Sequence, residues 1–283
     1  MMGDRVVLLG TKGGPAIRPN GPMPTSSLLE MDGKRIVVDC GLGVARGLVN
    51  AGMSLKELET IFITHLHSDH LLELGPLIHT AWTTGLAQEV TVFGPEGTRA
   101  YFAGFLQSMS FDNALRVADE GRRPLEELVQ IVEYGEGEIA GSPVSTTALR
   151  VDHPPVTDCF ALRFEANGKR VTFSADTAYF EPLSKFAEGS DLLIHEAMLA
   201  EGVDALVART GSADRLRAHL MASHTVAEDV GKIATAAKCK HLALHHLVPA
   251  DDPDFSFKDW EKAVRTSWDG ALTIGFDGVE IRY

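Results

Sequence analysis

Short apolar runs separated by glycine-bearing turns open the chain. Residues 5–10, 25–30 and 35–39 are too short for helices and rich enough in Val, Leu and Ile to read as strands, and Asp32-Gly33 supplies a hairpin turn between the last two. The period then changes. Residues 41–52 read as a helix, and residues 60–64 (Thr-Ile-Phe-Ile-Thr) as a buried strand, because the run is short, apolar and β-branched. From 69 to 82, Leu71, Leu74, Leu77, Ile78 and Ala81 recur near every 3.6 residues, which predicts a helix starting directly after a cluster of histidines.

The second half repeats this grammar. Residues 144–151, 159–165 and 169–174 read as strands, with Asn167-Gly168 a hairpin turn between the last two. A strand at 191–195, a helix at 226–237 behind a capping box from Thr225 to Glu228, and a strand at 241–245 follow. A helix near 258–268 and a hairpin through Asp277-Gly278 close the chain. Residues 96–127 mix helical pieces with charges, a helical insertion that either covers the mouth of a site or is an ordinary surface addition. Two β-rich halves, each followed by helices, predict an α/β fold: a four-layer αββα sandwich in one domain over residues 1–283.

Composition narrows the class. With 283 residues, 45% of them hydrophobic, the chain can bury a large core. Its formal charge of −13 gives an overall field that repels polyanions. That argues against nucleic acid and anionic membrane as partners and for a small-molecule substrate. The N-terminal apolar run is too short for a signal peptide, and no stretch approaches the roughly 20 apolar residues of a spanning helix. Cys40, Cys159 and Cys239 are odd in number and sit in apolar segments, so they read as reduced core thiols. A cytoplasmic location is the expectation.

The sharpest feature is His65-Leu66-His67-Ser68-Asp69-His70, placed at a strand-to-helix junction. Four ligand-type side chains within six residues are costly to bury unpaired, and imidazoles this close repel once protonated, so a bound cation stabilises them better than solvent would. The plain alternative is a solvated polar loop. His153, Asp176 and His246 each follow a predicted strand, and strand ends on one edge of a sheet converge. Together these side chains suffice for two metal ions that share a carboxylate and a water. Imidazoles and carboxylates without thiolates suit zinc first, with manganese or iron also possible. Alternation along a strand sends His245 and His246 to opposite faces, so only one is a ligand, and His246 is the choice. His195 is a candidate either for supporting the site or for a satisfied core histidine. Trp82, Tyr101, Phe102, Phe105 and Phe111 line either a substrate pocket or, as aromatics at helical spacing usually do, the core.

The histidine cluster resembles the HxHxDH signature of the metallo-β-lactamase superfamily. Leu9-Gly10-Thr11, Val38-Asp39-Cys40-Gly41, Ile63-Thr64-His65, Ser174-Ala175-Asp176-Thr177, Leu193-Ile194-His195-Glu196-Ala197 and Ser223-His224-Thr225 are similar to its ribonuclease Z-like branch, which includes arylsulfatase-like and phosphodiesterase-like enzymes. The resemblance implies that His65, His67 and His153 hold one metal, that Asp69, His70 and His246 hold the second, and that Asp176 bridges them. It further implies that Asp69 orients the attacking hydroxide, that His224 is the general acid with Glu196 behind it, and that the protein is a homodimer. The expected activity is hydrolysis of a phosphodiester or other ester-type small molecule. The chain departs from ribonuclease Z proper in having no room between His153 and Asp176 for the basic arm that grips tRNA, so tRNA 3′-processing is the alternative reading, beside a catalytically silent metal- or metabolite-binding member.

Overall fold

The computed structural model describes residues 3–210 and 213–283. Six strands of the first half, β1 (Arg5–Gly10), β2 (Ser26–Met31), β3 (Lys34–Val38), β4 (Thr60–Phe62), β5 (Val90–Gly94) and β6 (Val129–Glu133), form one mixed sheet. The next seven, β7 (Gly137–Glu138), β8 (Ser145–Arg150), β9 (Phe160–Ala166), β10 (Lys169–Phe173), β11 (Leu192–Met198), β12 (His241–Val248) and β13 (Ala271–Ile274), form a second, and β14 (Val279–Arg282) returns to the free edge of β1. The strand orders are 14-1-2-3-4-5-6 and 13-12-11-10-9-8-7.

Both faces of each sheet are covered, which is why the central strands read as nearly continuous apolar runs. In β2, Leu29 faces the other sheet beside Phe62, Phe164 and Phe173, whereas Leu28 faces the outer helices. The first sheet is backed by α1 (Val44–Asn50), α2 (Ser68–Leu71), α3 (Leu74–Thr83), α4 (Thr98–Ser108) and α5 (Ser110–Glu120). The second is backed by α6 (Pro182–Phe186), α7 (Ala200–Thr210), α8 (Ala213–Ser223), α9 (Ala227–Ala237) and α10 (Phe257–Val264). This is the expected αββα sandwich. The turns behave as their residues dictate: Asp32 and Gly33 take φ of 50° and 71°, and Asn167 and Gly168 take 50° and 75°, the double positive φ that suits a two-residue hairpin.

Several local expectations are corrected. The helix expected over 69–82 is two helices, because the chain turns between Leu71 and Leu74 while the Glu73 N–H bonds the Cys40 carbonyl. The capping box at Thr225 does not form: its hydroxyl donates to the Thr177 carbonyl at 2.6 Å, and its N–H donates to Glu196. Asp277-Gly278 does not close a hairpin, since β13 and β14 lie in different sheets. The Asp277 carboxylate instead accepts bonds from the Thr11 and Met23 N–H groups, tying that crossing to the loop after β1. Residues 96–127 form α4, α5 and a short turn packed on α3, where the backbone comes so close that a Cβ on Gly75 would sit 2.3 Å from the Phe105 ring. Trp82 and Phe102 are core, and Phe111 is 82% exposed. No helix among the described residues is long and apolar enough to cross a membrane.

Candidate metal centre

The centre lies along the edge where the loops after β4, β8 and β10 meet the C-terminal part of β12. His65 leaves the end of β4 and is fully buried, with its Nδ1 3.1 Å from the Thr64 hydroxyl. His67 precedes α2, and Asp69 and His70 occupy its first turn. His153 follows β8 and its Nδ1 meets the Ser223 carbonyl at 2.9 Å. Asp176 follows β10. His246 is not beyond β12 but inside it, at a bulge with φ of 44° where the pairing with β11 skips a residue. The bulge lets His246 turn toward the carboxylates while His245 points between the sheets at Phe173, 6.4 Å away.

Two donor groups share Asp176, each with its ligand atoms within 4.8 Å of one another: His65, His67, His153 and Asp176, and then Asp69, His70, Asp176 and His246; Glu196, His224 and His246 form a third group beside them. In the first, His67 Nδ1 lies 3.1 Å from both His65 Nε2 and His153 Nε2. Tetrahedral ligands at zinc distances sit about 3.3 Å apart, so the nitrogens stand where a cation would draw them. In the second, His246 Nε2 is 3.1 Å from Asp176 Oδ2 and 3.3 Å from Asp69 Oδ2. His70 Nε2 and Asp176 Oδ1 are buried without a hydrogen-bond partner. Buried polar atoms left without a partner in a cluster of imidazoles and carboxylates are what a divalent ion would satisfy, and the residues fit it.

The electrostatics of the groups differ. Burial, with neighbouring imidazoles, lowers His65 and His67, and burial lowers His153 against the pull of Asp176, so these three are neutral and ready to ligate. Burial acts the same way on His246, yet Asp176 and Asp69 push it up to about 10, and Asp176, Asp39 and Asp69 raise His70. Burial would raise Asp176, but His246 and His70 hold it well below the usual carboxylate range.

His224 closes the site. Its Nδ1 meets Glu196 Oε1 at 3.1 Å, and its ring stacks on His246 with centroids 5.3 Å apart. The same Glu196 oxygen accepts the Thr177 and Thr225 N–H groups, so the carboxylate is fixed. Burial lowers His224 while Glu196 raises it, with a net upward shift. Above the donors opens a cavity of about 390 Å³, with His67, Asp69, Asp176, His224 and His246 at its floor. None of residues 96–127 lines it. His195 is buried with its Nδ1 on the Glu196 carbonyl, outside both donor groups.

Sequence reasoning missed two supports. Asp39 takes the Thr64 N–H at 2.8 Å and His70 Nδ1 at 2.8 Å, fixing the tautomer and aim of that ring. The Gly14 N–H donates to Asp69 Oδ2 at 2.7 Å. Both sit in quoted motifs or beside them, but no spacing rule connects position 39 with 70.

A family model described as "Beta-lactamase superfamily domain" matches residues 34–247. A protein named ribonuclease Z from Mycolicibacterium gilvum is 31% identical over 277 residues, covering 96% of this chain and 93% of its own, and one of the same name from Mycobacterium bovis is 28% identical over 276 residues. Among solved structures, the metallo-β-lactamase fold protein YhfI of Bacillus subtilis superposes with a TM-score of 0.73 at 22% identity, covering 98% of both chains. The short form of human tRNase Z superposes with 0.67 at 19% identity, again over 98% of both. Relatives that bear the name of a ribonuclease over nearly the whole chain overturn the expectation of a small-molecule substrate with nucleic acid excluded. That expectation summed charge over the entire surface, whereas a polyanion meets the local field of one site, which bound cations reverse. The chain belongs to the metallo-β-lactamase superfamily, in its ribonuclease Z-like branch, and is a metal-dependent hydrolase.

Proposed function

We propose that this chain is a cytoplasmic ribonuclease Z-type phosphodiesterase that cleaves RNA and carries two zinc ions as its resident cofactors. The observation that carries the reading is the position of Asp176 Oδ2, which lies 3.1 Å from His246 Nε2, 3.3 Å from His70 Nε2, 3.6 Å from His65 Nε2 and 3.8 Å from His153 Nε2. One carboxylate oxygen shared by two histidine pairs suits two adjacent cations. His65, His67 and His153 would hold one ion, Asp69, His70 and His246 the other, with Asp176 between them.

Such a pair supplies Lewis acidity to a phosphoryl group and acidifies water. The chain's own groups do the rest. The Asp69 carboxylate, steadied by the Gly14 N–H, orients the attacking water. Glu196 holds His224 at Nδ1, which leaves Nε2 to deliver a proton to the leaving oxygen. The segment between His153 and Asp176 contains a short loop, β9, β10 and the turn joining them, which leaves no room for an RNA-gripping arm at that place.

The test is incubation of the zinc-loaded protein with a precursor tRNA bearing a 3′ trailer, beside a chelator control. Chelator-sensitive release of the trailer is expected. A protein with both ions bound that cleaves neither this RNA nor bis(p-nitrophenyl) phosphate would sink the reading.

A further inference from the structure

The cavity is lined by unlike residues: apolar Leu206, Leu216, Leu220 and Val248, and the loop after β1 with Lys12, Gly13, Gly14 and Arg18. That loop is pinned against the donor groups. Gly13 donates to the Leu247 carbonyl at 3.1 Å and Leu247 donates back to Thr11 at 2.8 Å, so the loop runs on as an extra strand beside the bulge of β12. Gly13 must be glycine, because a Cβ there would lie 2.4 Å from the Val248 side chain and 2.8 Å from the His246 ring. Lys12 is held on both backbone sides, its N–H bonding the Met23 carbonyl at 3.0 Å and its carbonyl accepting the Thr25 hydroxyl at 3.2 Å.

The Lys12 backbone is therefore fixed, and its side chain is unusual. The residue is only 6% exposed, yet it lines the cavity, and among the described residues the one acceptor of its ammonium is the neighbouring Gly13 carbonyl at 3.2 Å. Among the described residues no carboxylate lies within ion-pair distance of it, whereas Arg18 beside it is paired with Asp251 at 2.6 Å. Burial lowers the ammonium's pKa, and the fields of Asp251 and Asp69 support its charge. A buried cation with two unused donors is costly unless an anion arrives to meet it.

We propose that the Lys12 ammonium is the phosphate clamp of this cavity, binding a non-bridging oxygen of the scissile phosphodiester. The inference rests on the phosphodiesterase reading and names a contact that reading does not contain. Lys12 touches the substrate, whereas the donor groups hold the ions. The ammonium is a mobile point charge on a fixed backbone, suited to following a phosphoryl oxygen through the reaction.

The experiment titrates inorganic phosphate into the zinc-loaded wild type, Lys12→Met and Lys12→Arg by calorimetry, with metal content and bis(p-nitrophenyl) phosphate kinetics measured on the same samples. Loss of a charge-assisted bond predicts a phosphate Kd weaker by roughly tenfold to a hundredfold in Lys12→Met, with kcat/KM falling alongside, two ions retained, and partial recovery in Lys12→Arg. Should Lys12→Met not fold, Lys12→Gln carries the same comparison. Phosphate affinity within twofold of wild type in the neutral variant, or loss that tracks loss of metal, would overturn the clamp. The two readings fail separately: RNA cleavage undiminished by the neutral variant removes the clamp alone, and lysine-dependent phosphate binding without cleavage of RNA or diester removes the phosphodiesterase alone.

Discussion

The two donor groups draw on the same six-residue stretch, yet they are built on opposite principles. His65, His67 and His153 form a neutral trio whose imidazoles are held by a hydroxyl and a carbonyl, and which lacks a carboxylate of its own apart from the shared Asp176. Asp69, His70 and His246 form a charged group that needs more scaffolding: Asp39 behind His70, the Gly14 N–H on Asp69, and a bulge to turn His246 inward. The difference teaches that carboxylates brought into a buried site must be positioned by further hydrogen bonds, because each unsatisfied lone pair there is expensive, whereas neutral imidazoles need only to be aimed.

The largest test of that comparison removes what the groups share. Asp176→Ala is expected to lower metal content to one ion or fewer and turnover by about 10⁴-fold or more, as loss of a two-metal centre would, read by metal analysis and diester kinetics. Retention of two ions would mean that the groups do not depend on a common ligand. Next in size, His224→Ala tests whether chemistry separates from metal holding. Turnover of a substrate with a poor leaving group should fall roughly 10²- to 10⁴-fold with both ions kept, and an unchanged rate would remove His224 from the general-acid role. The smallest effect sharpens the asymmetry itself. Asp39→Ala should weaken one ion by roughly 10- to 100-fold and spare the other, so that metal titration shows one tight and one weakened site; equal weakening of both would erase the distinction.

The first group was easier to read than its surroundings. Two histidines at alternate positions after an apolar strand announce themselves, as do His153, Asp176 and His246 at or near strand ends, because a period of two and a stop in hydrophobicity are local properties. Asp39 was silent, since nothing in a single carboxylate after Ile36-Val37-Val38 says that His70 lies 2.8 Å away. Lys12 was silent for the same reason: a lysine among glycines reads as solvent-facing until the fold places it at 6% exposure. The helices α7 and α8 also escaped, although Leu206, Leu216 and Leu220 on them line the cavity.

What the chain determined by itself were the sandwich class, the hairpin turns at Asp32-Gly33 and Asn167-Gly168, and the presence of a cation-seeking cluster, all of which follow from spacing over a few residues. What only the tertiary structure decided were which strand of which sheet receives the last residues, that His246 sits in a bulge rather than beyond a strand, and that Asp176 Oδ2 stands between four imidazoles. Those depend on the packing of two sheets that bring together residues far apart in sequence, such as Asp69 and His246, 177 residues apart. Local periodicity carries no record of such distances; burial and the need to satisfy buried charge bring them together.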